Sequence, residues 1–576
     1  MLKSSIISLR GYQTYLKSSL KSFRSLYFLV LPAVSFLLLS FFEAEVAAFI
    51  GGLNPSHPDQ GIVYYADLVR LVAAEILWLT FFLLLTWILT VYPSREHLQN
   101  VFKLAEKLTN DHSIILILFI FFITTLYVSY NALNGFASSP NEYAYLFQAE
   151  MFSRGKFWEP AHDLPGFFSH HNIAQHDGIL VSRFPPGWPI FLSAAFETGI
   201  PPFIVNPVLS VLSLFVFYLF AKRIYGRRVA IWGLLALSFT GYYVFNSASY
   251  FSHVLCLLVT LLFVCNLYLY HENRRIIYGI LAGFFLGMIA LVRYYNGLLV
   301  FVPFFFYILY QYRLRSLYLF LWMAIGAMPL FAFLLSYNYA ITGHAFLPVH
   351  FWAYPQEKLG FVNGHTFIKG VEHVIRWIAL FFYWCSPGVL ILYFIFIYRK
   401  LKSPAERVLH PEDWFMVMLL VGYFFYYEFG GKQYGPRFLF EALPFLILFV
   451  INKVFQMREK LGLALLLASL VYAVIKFPFI SYREKRIVDE QRDLYDLVDK
   501  QKVSNAVILV SSSTSPTRPM AADELTRNDS RFLNTVIYAR ELPAITGQLM
   551  EYYGDRSFYR YVRPQDQPDG ELIKIR

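Results

Sequence analysis

Along most of its length the chain alternates apolar runs of about twenty residues with short connectors, and no other feature restricts its fold as much. A helix of that length matches the hydrocarbon core of a bilayer, where the backbone must satisfy its own hydrogen bonds, so only helices or closed barrels can cross. The runs are continuous and helical in length rather than short and alternating as in barrel strands. Composition agrees: 57% of residues are hydrophobic, 15% are charged, and the mean hydropathy is +0.48. Soluble domains carry about a quarter charged residues. The expected fold is a polytopic α-helical membrane protein.

Thirteen spans are read, near 27–50, 71–92, 113–134, 203–221, 229–247, 253–270, 276–292, 297–311, 316–337, 376–398, 413–429, 437–452 and 461–480. The net charge of +11 is distributed between alternate runs, at Lys222, Arg223, Arg227 and Arg228, at Arg274 and Arg275, at Arg313 and Arg315, and at Arg399, Lys400 and Lys402. That is the positive-inside pattern, not a nucleic-acid surface. With the N-terminus inside, the loops 135–202 and 338–375 and the C-terminus fall outside. Residues 1–26 lack a small-residue cleavage site, so a retained first span is expected rather than a cleaved signal peptide. Cys256, Cys265 and Cys385 lie within apolar runs and form no Cys-x-x-Cys pair, so no structural disulfide is expected.

Three regions result: 1–112 with two extra spans, 113–480 as a membrane core with two long outer loops, and 481–576 as a small soluble domain outside the membrane. Within loop 135–202, residues Glu142 to Phe152 suit a short helix in the interface, and Trp188 to Phe196 form an apolar stretch too short to span. In the tail, 507–510 and 535–539 read as buried strands and 490–500 as helix, which predicts an α/β domain.

Several polar residues stand where apolar runs meet the outer side. Glu142 places an acid at such a boundary, where it pairs, titrates, does chemistry or simply solvates the loop. Arg293 and Arg437 interrupt the positive-inside trend at outer helix ends, and guanidinium forks match phosphate oxygens. Snorkelling toward lipid headgroups is the plainer reading. Arg183, ahead of Pro185-Pro186, and His253, at the start of a span, belong to the same face, with Lys432 and Tyr434 close to Arg437 in sequence. His170, His171, His176 and Asp177 are donors that can hold a divalent metal, although their spacing matches no standard site. The chain contains no His-Glu-x-x-His, no phosphate-binding glycine loop and no Gly-x-Ser-x-Gly elbow.

Together, Asn141-Glu142-Tyr143, Arg183-Phe184-Pro185-Pro186-Gly187-Trp188-Pro189, Arg293, Tyr434-Gly435-Pro436-Arg437-Phe438, and Asn338-Tyr339-Ala340-Ile341-Thr342-Gly343 with Pro348 resemble the motifs of the GT-C glycosyltransferases. The likeness is to the branch of protein O-mannosyltransferases and lipid A aminoarabinose transferases, over about Ser113 to Ile480. The resemblance implies a polyprenyl-phosphate sugar donor and inversion at the anomeric carbon. It also implies an active site on the outer face, here the periplasmic side of a bacterial cytoplasmic membrane. The acceptor would be an envelope lipid, glycan or protein, and the sugar a hexose or pentose. Arg437, Arg293, Arg183, Lys432, Tyr434 and His253 would read the donor phosphate. The family carries Asp where this chain has Asn141, so the resemblance makes Glu142 the expected base, the alternatives being another acid such as Asp163 or Asp177, or a chain that is not a standard catalyst. Two other classes remain on the sequence alone, a lipid or sugar transporter and a non-catalytic membrane scaffold.

Overall fold

Backbone in hydrocarbon has no water to bond, so the apolar runs close their hydrogen bonds internally as helices. The computed structural model describes residues 62–108, 111–362, 364–402, 411–431, 433–457, 459–511, 513–514, 519–520, 522–563 and 570–576; the span expected at 27–50 lies outside them. Helix α1 (Ile62–Val91) and the amphipathic α2 (Arg95–Leu108) lead into α3 (Asp111–Tyr127), which a π turn at Val128–Ala132 extends. The polar segment that follows folds as α4 (Pro140–Ser153), an antiparallel sheet of β1 (Glu159–Pro160), β2 (Ile173–His176) and β3 (Ile179–Ser182), and α5 (Gly187–Thr198). Next come α6 (Val205–Tyr225), α7 (Arg227–Phe239), α8 (Gly241–Ala248), α9 (His253–Asn273), α10 (Ile276–Val292), α11 (Tyr294–Tyr312) and α12 (Ser316–Thr342). The second polar segment carries α13 (Val349–Ala353), followed by α14 (Phe367–Trp384), α15 (Pro387–Lys402), α16 (Pro411–Phe424), α17 (Leu443–Met457) and α18 (Lys460–Lys500).

Among the described residues, seven helical stretches are long and apolar enough to cross a membrane, or eight with the bent pair α7–α8 taken as one span. The expected thirteen are not all of that kind. The run 229–247 bends by 63° where Thr240 ends α7 and caps α8, its side chain accepting from the Tyr243 N–H. The run 376–398 is two helices, since α14 stops at Trp384 and Pro387, which has no N–H to donate, begins α15. The apolar helices at 276–292 and 413–424 are shorter than a full span.

The contacts divide the chain into two compact units. In the one made of residues 1–107, 386–392 and 454–472, Trp78 and Phe82 pack edge-on against Tyr472 at 5.9 and 5.7 Å, and Phe102 meets Phe455 at 5.4 Å. The other, residues 108–385, 393–453 and 473–576, holds all of the chemistry below. Its helices approach closely where side chains are small. Gly283 of α10 lies against the Met323 carbonyl of α12 and Gly326 of α12 against the Ile280 carbonyl, and a Cβ at either would overlap backbone.

After α18 the chain forms β4 (Ala506–Val510), the short pair β5 (Ser513–Thr514) and β6 (Pro519–Met520), α19 (Ala522–Leu525), β7 (Val536–Arg540), α20 (Thr546–Tyr552), β8 (Ser557–Val562) and β9 (Glu571–Lys574). Strand order is β7-β4-β8-β9, with β4 parallel to both neighbours and β9 antiparallel to β8. Alternate β4 residues serve two cores. Ile508 and Val510 face Leu494, Val498 and Tyr561, whereas Val507 and Leu509 face Phe167 and Phe168 from the loop before β2. The tail and the first polar segment therefore share one hydrophobic core.

Candidate active site

Ser-Pro-Asn-Glu at 139–142 starts α4, with Ser139 as its N-cap. Ser139 is extended (φ −128°, ψ 154°) and its hydroxyl accepts from the Glu142 N–H at 3.2 Å, while Pro140 occupies the first helical position. The Glu142 carboxylate is fully buried. Its Oε2 accepts from the Ser138 and Ser139 hydroxyls at 3.1 and 3.0 Å, and its Oε1 from the Tyr250 N–H at 2.9 Å. Burial drives this carboxyl above the usual range, against the Tyr250 N–H, the two serines and the Arg437 charge. Ser138 passes the chain on to the Tyr434 hydroxyl at 2.7 Å. Glu142 thus braces the start of α4. The residue that opens onto the neighbouring cavity is Asn141, whose Oδ1 accepts from Asn172 Nδ2 at 2.8 Å.

Arg293 is the single extended residue (φ −150°, ψ 99°) between α10 and α11, so the chain reversal itself delivers its side chain to the cavity. Its guanidinium donates to Asn296 Oδ1 at 3.2 Å, to the Tyr423 hydroxyl at 3.4 Å and to His253 Nε2 at 3.3 Å. A guanidinium only donates, so Nε2 accepts and the His253 proton sits on Nδ1, 3.3 Å from Glu441 Oε1. Glu441 is fully buried and stands 3.9 Å from Arg293 Nε. A carboxylate, an imidazole and a guanidinium therefore form one chain that ends at the cavity wall.

Arg437 arrives by a glycine-dependent turn. Tyr434 and Gly435 both have positive φ (54° and 95°), and a Cβ on Gly435 would stand 2.7 Å from the Tyr242 ring. The Arg437 guanidinium lies 3.8 Å over the Phe251 ring and donates from Nε to the Gly430 carbonyl at 3.4 Å. It is 7% exposed, and among the described residues no carboxylate comes within ion-pair distance of it. Phe438, next in sequence, stacks on Tyr423 at 4.2 Å and carries Arg293 over its face at 5.6 Å.

Arg183 also lines the cavity, yet it is already paired. It binds Glu357 and donates to the Tyr427 hydroxyl at 2.9 Å and to His350 Nδ1 at 3.3 Å, with Tyr354 stacked at 4.1 Å. Its role here is to strap the second polar segment to the first. The tail secures the same wall. Arg527 stacks on Phe136 at 4.2 Å and donates to the Ala137 carbonyl, and the Tyr143 hydroxyl donates to the Asn528 carbonyl at 2.6 Å.

The cavity they enclose measures about 580 Å³ and brings together Asn141, Arg183, His253, Arg293 and Arg437 from five separated stretches of sequence. Tyr434 is not on its wall, its hydroxyl being bonded to Ser138 at 2.7 Å, and Lys432 lies outside the described residues. The four metal candidates do not converge. His170 is buried against Tyr143 at 4.9 Å, His171 opens on the cavity, and His176 pairs with Asp177 at the exposed tip of the β2–β3 hairpin, which turns through positive φ at Asp177 and Gly178. Among the described residues no group of three or more His, Cys, Asp or Glu is placed to hold a metal ion. Sequence reasoning passed over Glu441, Glu357, His350 and Glu428. Glu441 carried a usable signal, an acid inside an apolar run four residues after Arg437.

Residues 188–337, which include His253 and Arg293, match the family model described as dolichyl-phosphate-mannose-protein mannosyltransferase. Among solved structures, ArnT from Cupriavidus metallidurans in the apo state aligns with a TM-score of 0.51 at 11% identity, over 79% of this chain and 93% of that one. The chain resembles the GT-C glycosyltransferases. Weaker likenesses extend to the Archaeoglobus fulgidus oligosaccharyltransferase (TM-score 0.41, 12% identity, 77% of this chain and 68% of that one) and to the arabinofuranosyltransferase AftD from Mycobacteria (0.39, 11%, 75% and 32%). At such identities the shared property is fold. No curated protein matches the sequence. With its apolar helices and this GT-C-like fold, the chain is an integral membrane protein.

Proposed function

We propose that the chain is an inverting glycosyltransferase that moves a sugar from a polyprenyl-phosphate donor to an acceptor in the cell envelope. The observation that carries this reading is Arg437, a buried guanidinium with no carboxylate partner among the described residues, on the wall of one cavity with Arg293. A buried guanidinium with no carboxylate in direct contact is costly, so the site suits an anion that arrives with the substrate. Two guanidinium groups suit a phosphate. Tyr145, Phe251, Tyr295 and Phe438 on the same walls suit a sugar ring and the first isoprene units. As the glycosyl–phosphate bond breaks, negative charge grows on the phosphate oxygens, where Arg293 and Arg437 stabilise it more than in the ground state. One displacement inverts the anomeric carbon, because no second carboxylate has to act as nucleophile.

In this reading the cavity and the α/β tail lie on the extracytoplasmic side, which for a bacterial chain is the periplasm, and the basic clusters between alternate apolar runs support it. The same reading takes the acceptor as an envelope lipid, glycan or protein. Full-length protein in proteoliposomes, supplied with labelled polyprenyl-phosphate sugars, tests it. Arg437→Ala should raise the half-saturating donor concentration and lower turnover, and equal donor use by wild type and variant would remove the phosphate assignment.

A further inference from the structure

The proposed displacement also needs a proton acceptor at the incoming hydroxyl, and α4 does not offer one to the cavity. Asn141 faces the cavity, but a neutral amide takes no proton and its Oδ1 is held by Asn172. Glu142 is buried beneath, with both oxygens receiving hydrogen bonds and neither on the cavity wall. Glu357 is committed to Arg183, to the Tyr427 hydroxyl and to His350 at 3.2 Å. Glu441 is fully buried below His253. Asp163 meets the Tyr552 hydroxyl at 3.2 Å, and Asp177 is on the exposed hairpin tip.

Two carboxylates do line the cavity, Glu428 and Glu524. Glu524 belongs to the short α19 of the tail and is already engaged in an interaction of its own. Glu428 lies in the stretch between α16 and Arg437, where Tyr426, Tyr427, Phe429 and Gly430 are also cavity wall. Tyr427, just before it, accepts a hydrogen bond from Arg183, while Gly430, two residues after it, accepts from Arg437. Glu428 therefore lies, along the chain, between a residue bound by Arg183 and one bound by Arg437. It is exposed to the cavity, and among the described residues no hydrogen bond or ion pair engages it.

We propose that Glu428 is the general base of the transfer; the inference rests on the glycosyltransferase reading above. A Glu428 oxygen takes the acceptor O–H proton as the acceptor oxygen bonds to the anomeric carbon. The anomeric carbon–phosphate oxygen bond breaks, its electron pair stays on the departing polyprenyl phosphate, and that charge meets Arg293 and Arg437. The proton on Glu428 then leaves to water through the cavity. In this arrangement the position filled by Asp in the family has passed to an amide that orients rather than titrates, and the base has moved to another segment of the same wall.

The test uses the full chain in membrane vesicles of its source cell, which supply the acceptor. Labelled polyprenyl-phosphate mannose, glucose, galactose and arabinose are offered in turn. With the donor that wild type uses, Glu428→Gln should lower turnover by about 100-fold or more while the half-saturating donor concentration stays within about twofold. Added formate should restore part of the activity of Glu428→Ala, which a purely structural role would not permit. Turnover within about threefold of wild type, absence of formate rescue, or a comparable loss in Glu524→Gln with Glu428→Gln active would overturn the assignment. Unchanged donor use by Arg437→Ala, or no turnover of any donor by wild type, would instead overturn the underlying glycosyltransferase reading.

Discussion

Replacing Glu441 by Gln keeps the side chain's size and removes the charge behind Arg293. Glu441 is fully buried, its Oε1 lies 3.3 Å from His253 Nδ1 and 3.9 Å from Arg293 Nε, and its Oε2 has no hydrogen-bond partner. At that separation two unit charges attract by about 4 kcal/mol in an effective dielectric of about 20. Deleting one partner of a buried pair costs about 3–5 kcal/mol, because the survivor keeps its desolvation penalty. The donor-free variant should therefore lose about 3 kcal/mol of stability. A lipid phosphate beside Arg293 would supply the missing anion, so polyprenyl phosphate should stabilise the variant more than it stabilises wild type. Thermal unfolding in detergent with and without saturating polyprenyl phosphate measures both effects. A ligand-induced shift in Glu441→Gln equal to or smaller than that of wild type would refute the idea that the phosphate and Glu441 share one guanidinium.

Three further outcomes follow from the same geometry. Arg437→Lys keeps the charge but loses the flat contact 3.8 Å over Phe251 and the fork, so the half-saturating donor concentration should rise about tenfold in a donor titration. Gly283→Val would drive a side chain into the Met323 carbonyl where α10 and α12 touch, and should cost about 3 kcal/mol or more in thermal unfolding, where a wild-type melting temperature would contradict the packing. Burial, helped by the Arg527 and His171 charges, lowers the His170 pKa to about 3, so the native imidazole is neutral while the unfolded one titrates at the ordinary histidine value of 6.5. The unfolded chain then binds the extra proton between those values, stability falls as pH drops through that window, and from pH 7 to pH 5 the loss should be about 2 kcal/mol, absent in His170→Gln.

The parts of this architecture that were legible in sequence are those that a local pattern encodes. Apolar runs mark helices because length and hydropathy suffice. Arg293 and Arg437 stood out because a cation at an outer helix end needs a reason. Glu142 stood out for the same reason, yet Ser139 three residues before it is a helix N-cap, and at that helix start the Glu142 oxygens turn back to Ser138, Ser139 and the Tyr250 N–H. The break at Cys385-Ser386-Pro387 was written in the proline but masked by the apolar residues on both sides. Partners at long range were not legible at all. Nothing near Arg183 announces Glu357, and nothing near Phe167 and Phe168 announces a β4 more than three hundred residues later in the chain. The commitment of Arg183 to a strap and the exposure of Glu428 to the cavity arise only once those segments meet.

The most direct test of the account is a structure of the full chain in a lipid nanodisc with polyprenyl phosphate. The phosphate should lie in the cavity with oxygens about 3 Å from the guanidinium groups of both Arg293 and Arg437, and the isoprenoid chain leading out among aromatic residues. A phosphate bound instead beside Arg183 and His350, or outside the cavity altogether, would contradict it.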